Sequence, residues 1–197
     1  MPAPMQRAIW LLGLCQCVLW GVLYYSFSVL LVPMESALGL SRMAVAGAFS
    51  IGLAAMAMAA PRVGRWLDAG YATRLTRAGI GLALVGLFLV AVAQGPVALY
   101  LGWLAIGIAM AALLYEPAFV LIIPAVPDEA RLRALAAVTV LGGLASTLFL
   151  PLLSMLIEHG DWREAVLACG VAVVLVAWIM ERHVIPRLPA AHAVQSN

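Results

Sequence analysis

The stretch Ile9-Trp10-Leu11-Leu12-Gly13-Leu14-Cys15-Gln16-Cys17-Val18-Leu19-Trp20-Gly21-Val22-Leu23-Tyr24-Tyr25-Ser26-Phe27-Ser28-Val29-Leu30-Leu31-Val32 contains no charged side chain. A helix rises about 1.5 Å per residue, so about 20 such residues cross the hydrocarbon of a bilayer. One arginine, Arg7, precedes the run, as it would in a signal peptide. However, the run is too long for a signal core, and no small-residue cleavage site with a polar mature start follows it. The apolar residues are continuous rather than alternating, which predicts a helix and not a barrel strand. The stretch reads as a first membrane span, stopped by Pro33.

Working outward, the rest of the chain has the same character. Of its 197 residues 65% are hydrophobic and 10% charged, and mean hydropathy is +1.08. A soluble domain is about half apolar and about a quarter charged. A chain of this length lacks the volume to hide the excess, whereas lipid solvates it. Five further runs are long enough, or nearly so, to span: Ala44 to Val63, Leu75 to Ala93, Val97 to Ile123, Leu135 to Ile157 and Trp162 to Met180. The expected fold is an all-α membrane protein, with a six-helix transmembrane bundle over residues 1–181 and a cytoplasmic tail over 182–197.

Charge sets the orientation. All eleven basic residues are arginine, and the net charge is +2. That is too small for a nucleic-acid binder, and no basic run is interleaved with aromatics. With the N-terminus in the cytoplasm, nine arginines fall inside: Arg7, then Arg62, Arg65, Arg74 and Arg77, then Arg131 and Arg133, then Arg182 and Arg187. Two fall outside, Arg42 and Arg163. The positive-inside rule then predicts a multi-pass protein of the inner (plasma) membrane with both termini cytoplasmic. Aromatic residues sit where interfaces are expected, Tyr100, Trp103 and Trp162 outside and Trp10, Trp66, Tyr71 and Trp178 inside. Small pairs four apart, Ala55 and Ala59, Ala105 and Ala109, Gly142 and Ser146, suit close helix packing.

An enzyme is not expected. Cys15, Cys17 and Cys169 lie in apolar runs and read as small buried hydrophobes, with no disulfide framework or metal site. A six-helix intramembrane protease needs a Gly-x-Ser nucleophile and a deep histidine; the spans hold no such triplet, and His159, His183 and His192 lie at ends or in the tail. No His-Glu-x-x-His zinc motif exists, and no cofactor is expected.

The polar exceptions inside the spans mark a candidate site. Glu116 is the one charged side chain well inside a span, roughly 9 Å to the inner side of its midpoint. A charge there costs about 2.5–3.5 kcal/mol on insertion scales, so it should face the bundle interior. Its neighbours on one helical face are Ala105, Ala109 and Ala112. Two roles fit: Glu116 binds a proton or a substrate cation and couples its movement, or it pairs structurally with Arg74 or Arg131. Pro117 beside it suggests a kink that frees a carbonyl. On the first span, Gln16, Trp20 and Tyr24 recur at spacing four, with Tyr25 and Ser28 flanking. This stripe either lines a cavity or packs against the fifth span. Thr139, Gly143 and Ser146 give the fifth span a mild polar face, and Tyr115 stands beside Glu116.

The second linker reads Gly64-Arg65-Trp66-Leu67-Asp68-Ala69-Gly70-Tyr71-Ala72-Thr73-Arg74, with Arg77 following. It resembles the signature loop of the major facilitator superfamily, in which Gly and Asp four apart are followed by basic residues. Gly64, Asp68, Arg74 and Arg77 match; Ala69 stands where a basic residue is usual, and Gly70 comes one place early. In that superfamily the loop joins helices two and three on the cytoplasmic side, where topology puts this one. Ser41-Arg42, Gly47-Ala48-Phe49-Ser50, Tyr115-Glu116-Pro117-Ala118, Gly142-Gly143-Leu144-Ala145-Ser146-Thr147 and Gly160-Asp161-Trp162-Arg163 also look like members of it.

The resemblance implies one six-helix half of a secondary transporter, built from two inverted three-helix repeats. It implies that helices one and four line a translocation cavity for a small solute, driven by protons or by exchange. It also implies a cytoplasmic latch in which Asp68 meets a helix N-terminus and nearby arginines; the plainer alternative is that Asp68 balances arginines in a solvated loop. The expected partners are the lipid bilayer, the solute, and a second copy or a C-terminal half, since one half leaves the cavity open and alternating access incomplete. The competing expectation is a truncated, non-transporting remnant or a membrane assembly partner.

Overall fold

The computed structural model describes residues 2–188. Six long apolar helices make up nearly all of it, and there is no strand among the described residues. They are α1 (Ala3–Leu38), α2 (Arg42–Asp68), α3 (Ala72–Ala91), α4 (Pro96–Ile122), α5 (Asp128–His159) and α6 (Trp162–Arg187). Residues 189–197 of the expected tail, with His192, lie outside the described residues.

Local chemistry sets the helix ends. Gly39 and Gly70 take left-handed φ values of 62° and 82°, which cost glycine nothing, and close α1 and α2. Ser41 caps α2 by accepting the Ala44 N–H at 3.2 Å, and Asp161 caps α6 by accepting the Arg163 N–H at 3.2 Å. Pro96 occupies the first turn of α4, where its missing N–H costs nothing. Pro33 does not end α1; the helix forgoes one hydrogen bond and runs on to Leu38.

α4 is the central element. Of its most apolar window 67% is buried, against 22% for α2 and 17% for α5. Its most extensive contacts are with α2 and α3, while α1 packs on the first half of α5 and α3 on α6. The approach to both α4 neighbours is at backbone distance. A methyl group on Gly107 would strike the Gly52 carbonyl of α2. One on Gly86 of α3 would lie 2.8 Å from the Gly102 carbonyl. Small residues therefore hold these helices together by close packing, as bilayer bundles require.

The half of the bundle nearer the α1–α2 connection is packed by rings. Phe27 stacks on Phe49 at 4.2 Å, and Trp103 meets both edge-on at 5.1 and 5.2 Å. Trp103, 1% exposed, and Trp162 are thus core residues and not part of an outer aromatic belt. Trp10, Trp66, Tyr71 and Trp178 are exposed on the helix surfaces.

Candidate functional site

Two irregular turns face each other across the bundle. α4 is broken at Leu114, whose backbone is extended with φ −75° and ψ −156°. Three residues on, Pro117 has no N–H to offer the carbonyl of Leu113. Gln16 of α1 replaces it, donating from Nε2 to the Leu113 carbonyl at 2.8 Å. Gln16 is 1% exposed and its Oε1 has no partner among the described residues. It borders a small cavity with Leu12, Thr76, Leu113 and Pro117.

α1 in turn widens into a π-helical turn, Gly21–Tyr25, directly after Trp20. Such turns carry one extra residue and often sit at functional sites. Both Tyr24 and Tyr25 then stand close to Trp20, at 5.3 and 6.3 Å between ring centroids. Tyr115, the first residue after the α4 break, places its ring 5.1 Å from Trp20 and stacks on Phe119 at 5.6 Å. Its hydroxyl donates to the Thr139 carbonyl of α5 at 3.2 Å.

These turns border a cleft of about 160 Å³, lined by Trp20 of α1, Met56 and Ala60 of α2, and Met110, Ala111, Leu114, Tyr115 and Glu116 of α4. The break at Leu114 turns Glu116 off the face of Ala105, Ala109 and Ala112, all three of which are buried in helix packing. Glu116 is exposed and makes no ion pair among the described residues. Neither arginine considered as its partner reaches it: Arg131 pairs with Asp128 at 2.6 Å, and the Arg74 guanidinium lies over the Tyr71 ring at 5.5 Å.

The structure therefore brings Trp20, Tyr115 and Glu116 together, with Tyr24 behind Trp20 and against Phe49 at 5.6 Å. Gln16 does not share that cleft. Thr139 contributes its carbonyl to Tyr115 while its hydroxyl donates to Leu135 at 3.0 Å. Ser146 lies on α5 beyond an interruption at Leu144. Met56 and Ala60 were missed in the sequence, although their spacing of four on α2 places them on one face.

At the other candidate region, Gly64 has open space where a side chain would extend, and Gly70 provides the left-handed turn after α2. Asp68 is exposed in the last turn of α2 with no ion pair among the described residues. Arg77 makes a two-pronged bond to Glu181 of α6, at 2.6 and 2.7 Å. This ion pair thus joins α3 to α6, and Asp68 stands apart from it.

The sequence profile of the Major Facilitator Superfamily matches residues 6–196. No curated protein matches the chain.

Proposed function

The chain belongs to the Major Facilitator Superfamily, a family of membrane transporters, and is a multi-pass membrane protein; from that premise we propose how it works. It moves a small solute across the inner (plasma) membrane by alternating access, coupled to protons or to exchange of a second solute. The observation that carries this is the cleft at the two irregular turns, where aromatic rings of α1 and α4 meet an unpaired carboxylate in an otherwise apolar bundle. Glu116 is the coupling or binding group, and Trp20, Tyr24 and Tyr115 form the cavity wall. Gln16 holds the α4 break open from behind, and Thr139 and Ser146 contribute the α5 side. Asp68, with Gly64, Gly70, Arg74 and Arg77, forms the cytoplasmic latch; its freedom here fits a state in which the latch is released.

Two features support a half-transporter of inverted repeats. The pairs α1 with α5 and α2 with α4 exchange when the first three helices are swapped with the last three, and both are extensive. The sparse burial of α2 and α5 supports a second six-helix half, or a second copy, seated against them.

The test is whole-cell uptake and efflux of a panel of radiolabelled amines, amino acids, sugars and carboxylates. Expression of the chain should change the flux of at least one of them. Glu116→Gln and Asp68→Asn should each lower that flux by about tenfold or more at unchanged membrane abundance. If expressed protein altered the flux of no compound, with or without a co-expressed second half, the non-transporting alternative would stand instead.

A further inference from the structure

We infer that the Glu116 cleft is a binding site for a small organic cation, an amine or quaternary ammonium with apolar substituents. The inference names the ligand class of the transport site proposed above, and it rests on that reading for its use in transport though not for binding.

The first ground is charge. Among the lining residues Glu116 alone is charged. Arg131, Arg77 and Arg74 are engaged elsewhere, on Asp128, on Glu181 and over Tyr71, and Glu116 makes no ion pair with any arginine among the described residues. A carboxylate at membrane depth without a counter-cation is costly, and a cationic ligand removes that cost on entering. An anion would meet repulsion, whereas a cation is drawn to the carboxylate.

The second ground is the walls. Trp20 and Tyr115 have ring centroids 5.1 Å apart with planes inclined at 41°, so the two rings form a corner. An ammonium group seated against such a corner meets the negative faces of aromatic rings, the attraction used in quaternary-ammonium sites generally. Met56, Ala60, Met110 and Leu114 supply apolar surface for the substituents. The cleft, about 160 Å³, has room for a small ligand.

Charge and shape can be separated by isosteres in which carbon replaces the ammonium nitrogen. The 197-residue chain is reconstituted in lipid nanodiscs, and equilibrium binding of radiolabelled choline and phenyltrimethylammonium is measured. The uncharged isosteres 3,3-dimethylbutan-1-ol and tert-butylbenzene, and the anion butyrate, serve as competitors. At least one cation should bind saturably, with its isostere at least about tenfold weaker and butyrate inactive. Glu116→Gln should weaken the cation by about tenfold or more, and Trp20→Leu by about threefold to tenfold. Equal affinity for cation and isostere, an unchanged affinity in Glu116→Gln, or no saturable binding of either cation overturns the inference. The isostere comparison needs no variant, so a Glu116→Gln protein that failed to fold would not rescue it. Flux measured separately distinguishes the two readings. Cation binding without transport of any solute sinks the transport reading alone. Transport of some solute by a chain that ignores both cations sinks this one alone.

Discussion

Gln16 shows how one residue can stand out in the sequence and still lie apart in the fold from the residues that share its stripe. Its polarity inside an apolar run is evident from the sequence, and so is the lost N–H at Pro117. What links them is a contact between positions 97 apart, which no local pattern encodes. The pair explains why a primary amide is needed: the Leu113 carbonyl is buried, cannot reach water, and has no helical donor. Gln16→Leu should therefore cost about 1–3 kcal/mol, the penalty of stranding a buried acceptor. In a Pro117→Ala background the new N–H can close the helix onto Leu113, and the same Gln16→Leu change should cost at least about 1 kcal/mol less. Thermal unfolding in detergent of the four proteins of this cycle measures the difference. Additive losses would mean that Gln16 acts by packing and not by replacing the missing donor. Glu116 was legible for the same reason as Gln16, as a polar group where none is expected. Its face was not, because the break at Leu114 rotates it away from the alanines that a straight helix would align with it.

At the level of elements, the spans could be read because lipid demands long apolar runs, and such runs need no partner to be recognised. Their irregularities could be read only in part. Pro117 pointed to the kink in α4, but nothing in Gly21–Tyr25 distinguishes a π turn from an α turn, and the two glycine contacts to α4 require knowing which helices meet. α3 contains its own control. A methyl group on Gly86 would stand 2.8 Å from the Gly102 carbonyl and 3.0 Å from the Ile106 nitrogen, both backbone atoms that cannot yield without moving a helix. One on Gly81, in the same helix, would meet nothing within 4 Å. Gly86→Ala should destabilise the bundle by about 1–3 kcal/mol through overpacking. Gly81→Ala should leave it unchanged or up to about 1 kcal/mol more stable, from helix propensity. Melting temperatures of the two variants in one detergent decide the matter. If the two changes had the same effect, α3 and α4 would not be held at backbone distance.

For the molecule as a whole, the arginine distribution supports the proposed orientation. On the side proposed as external, both arginines are already engaged: Arg42 pairs with Glu35 at 3.0 Å, and Arg163 donates to the Ala93 carbonyl at 2.8 Å while lying over Trp162. On the opposite side Arg62, Arg65 and Arg133 are exposed and without an ion pair among the described residues. The positive-inside rule counts arginines whether or not they are paired, so the nine-to-two distribution is what supports the proposed orientation. The chain also provides a quiet background for testing this, because Cys15, Cys17 and Cys169 are all buried. A membrane-impermeant maleimide added to intact cells should leave the unaltered chain unlabelled. It should label Ser41→Cys and Gln94→Cys, which lie between α1 and α2 and between α3 and α4. It should label Glu129→Cys, at the start of α5, only after the membrane is opened. The reverse pattern would place both termini outside and put the Asp68 loop on the face where no cytoplasmic latch could work. A mixed pattern, with Ser41→Cys and Gln94→Cys on opposite sides, would mean that α2 or α3 does not cross, and the six-span bundle itself would fall.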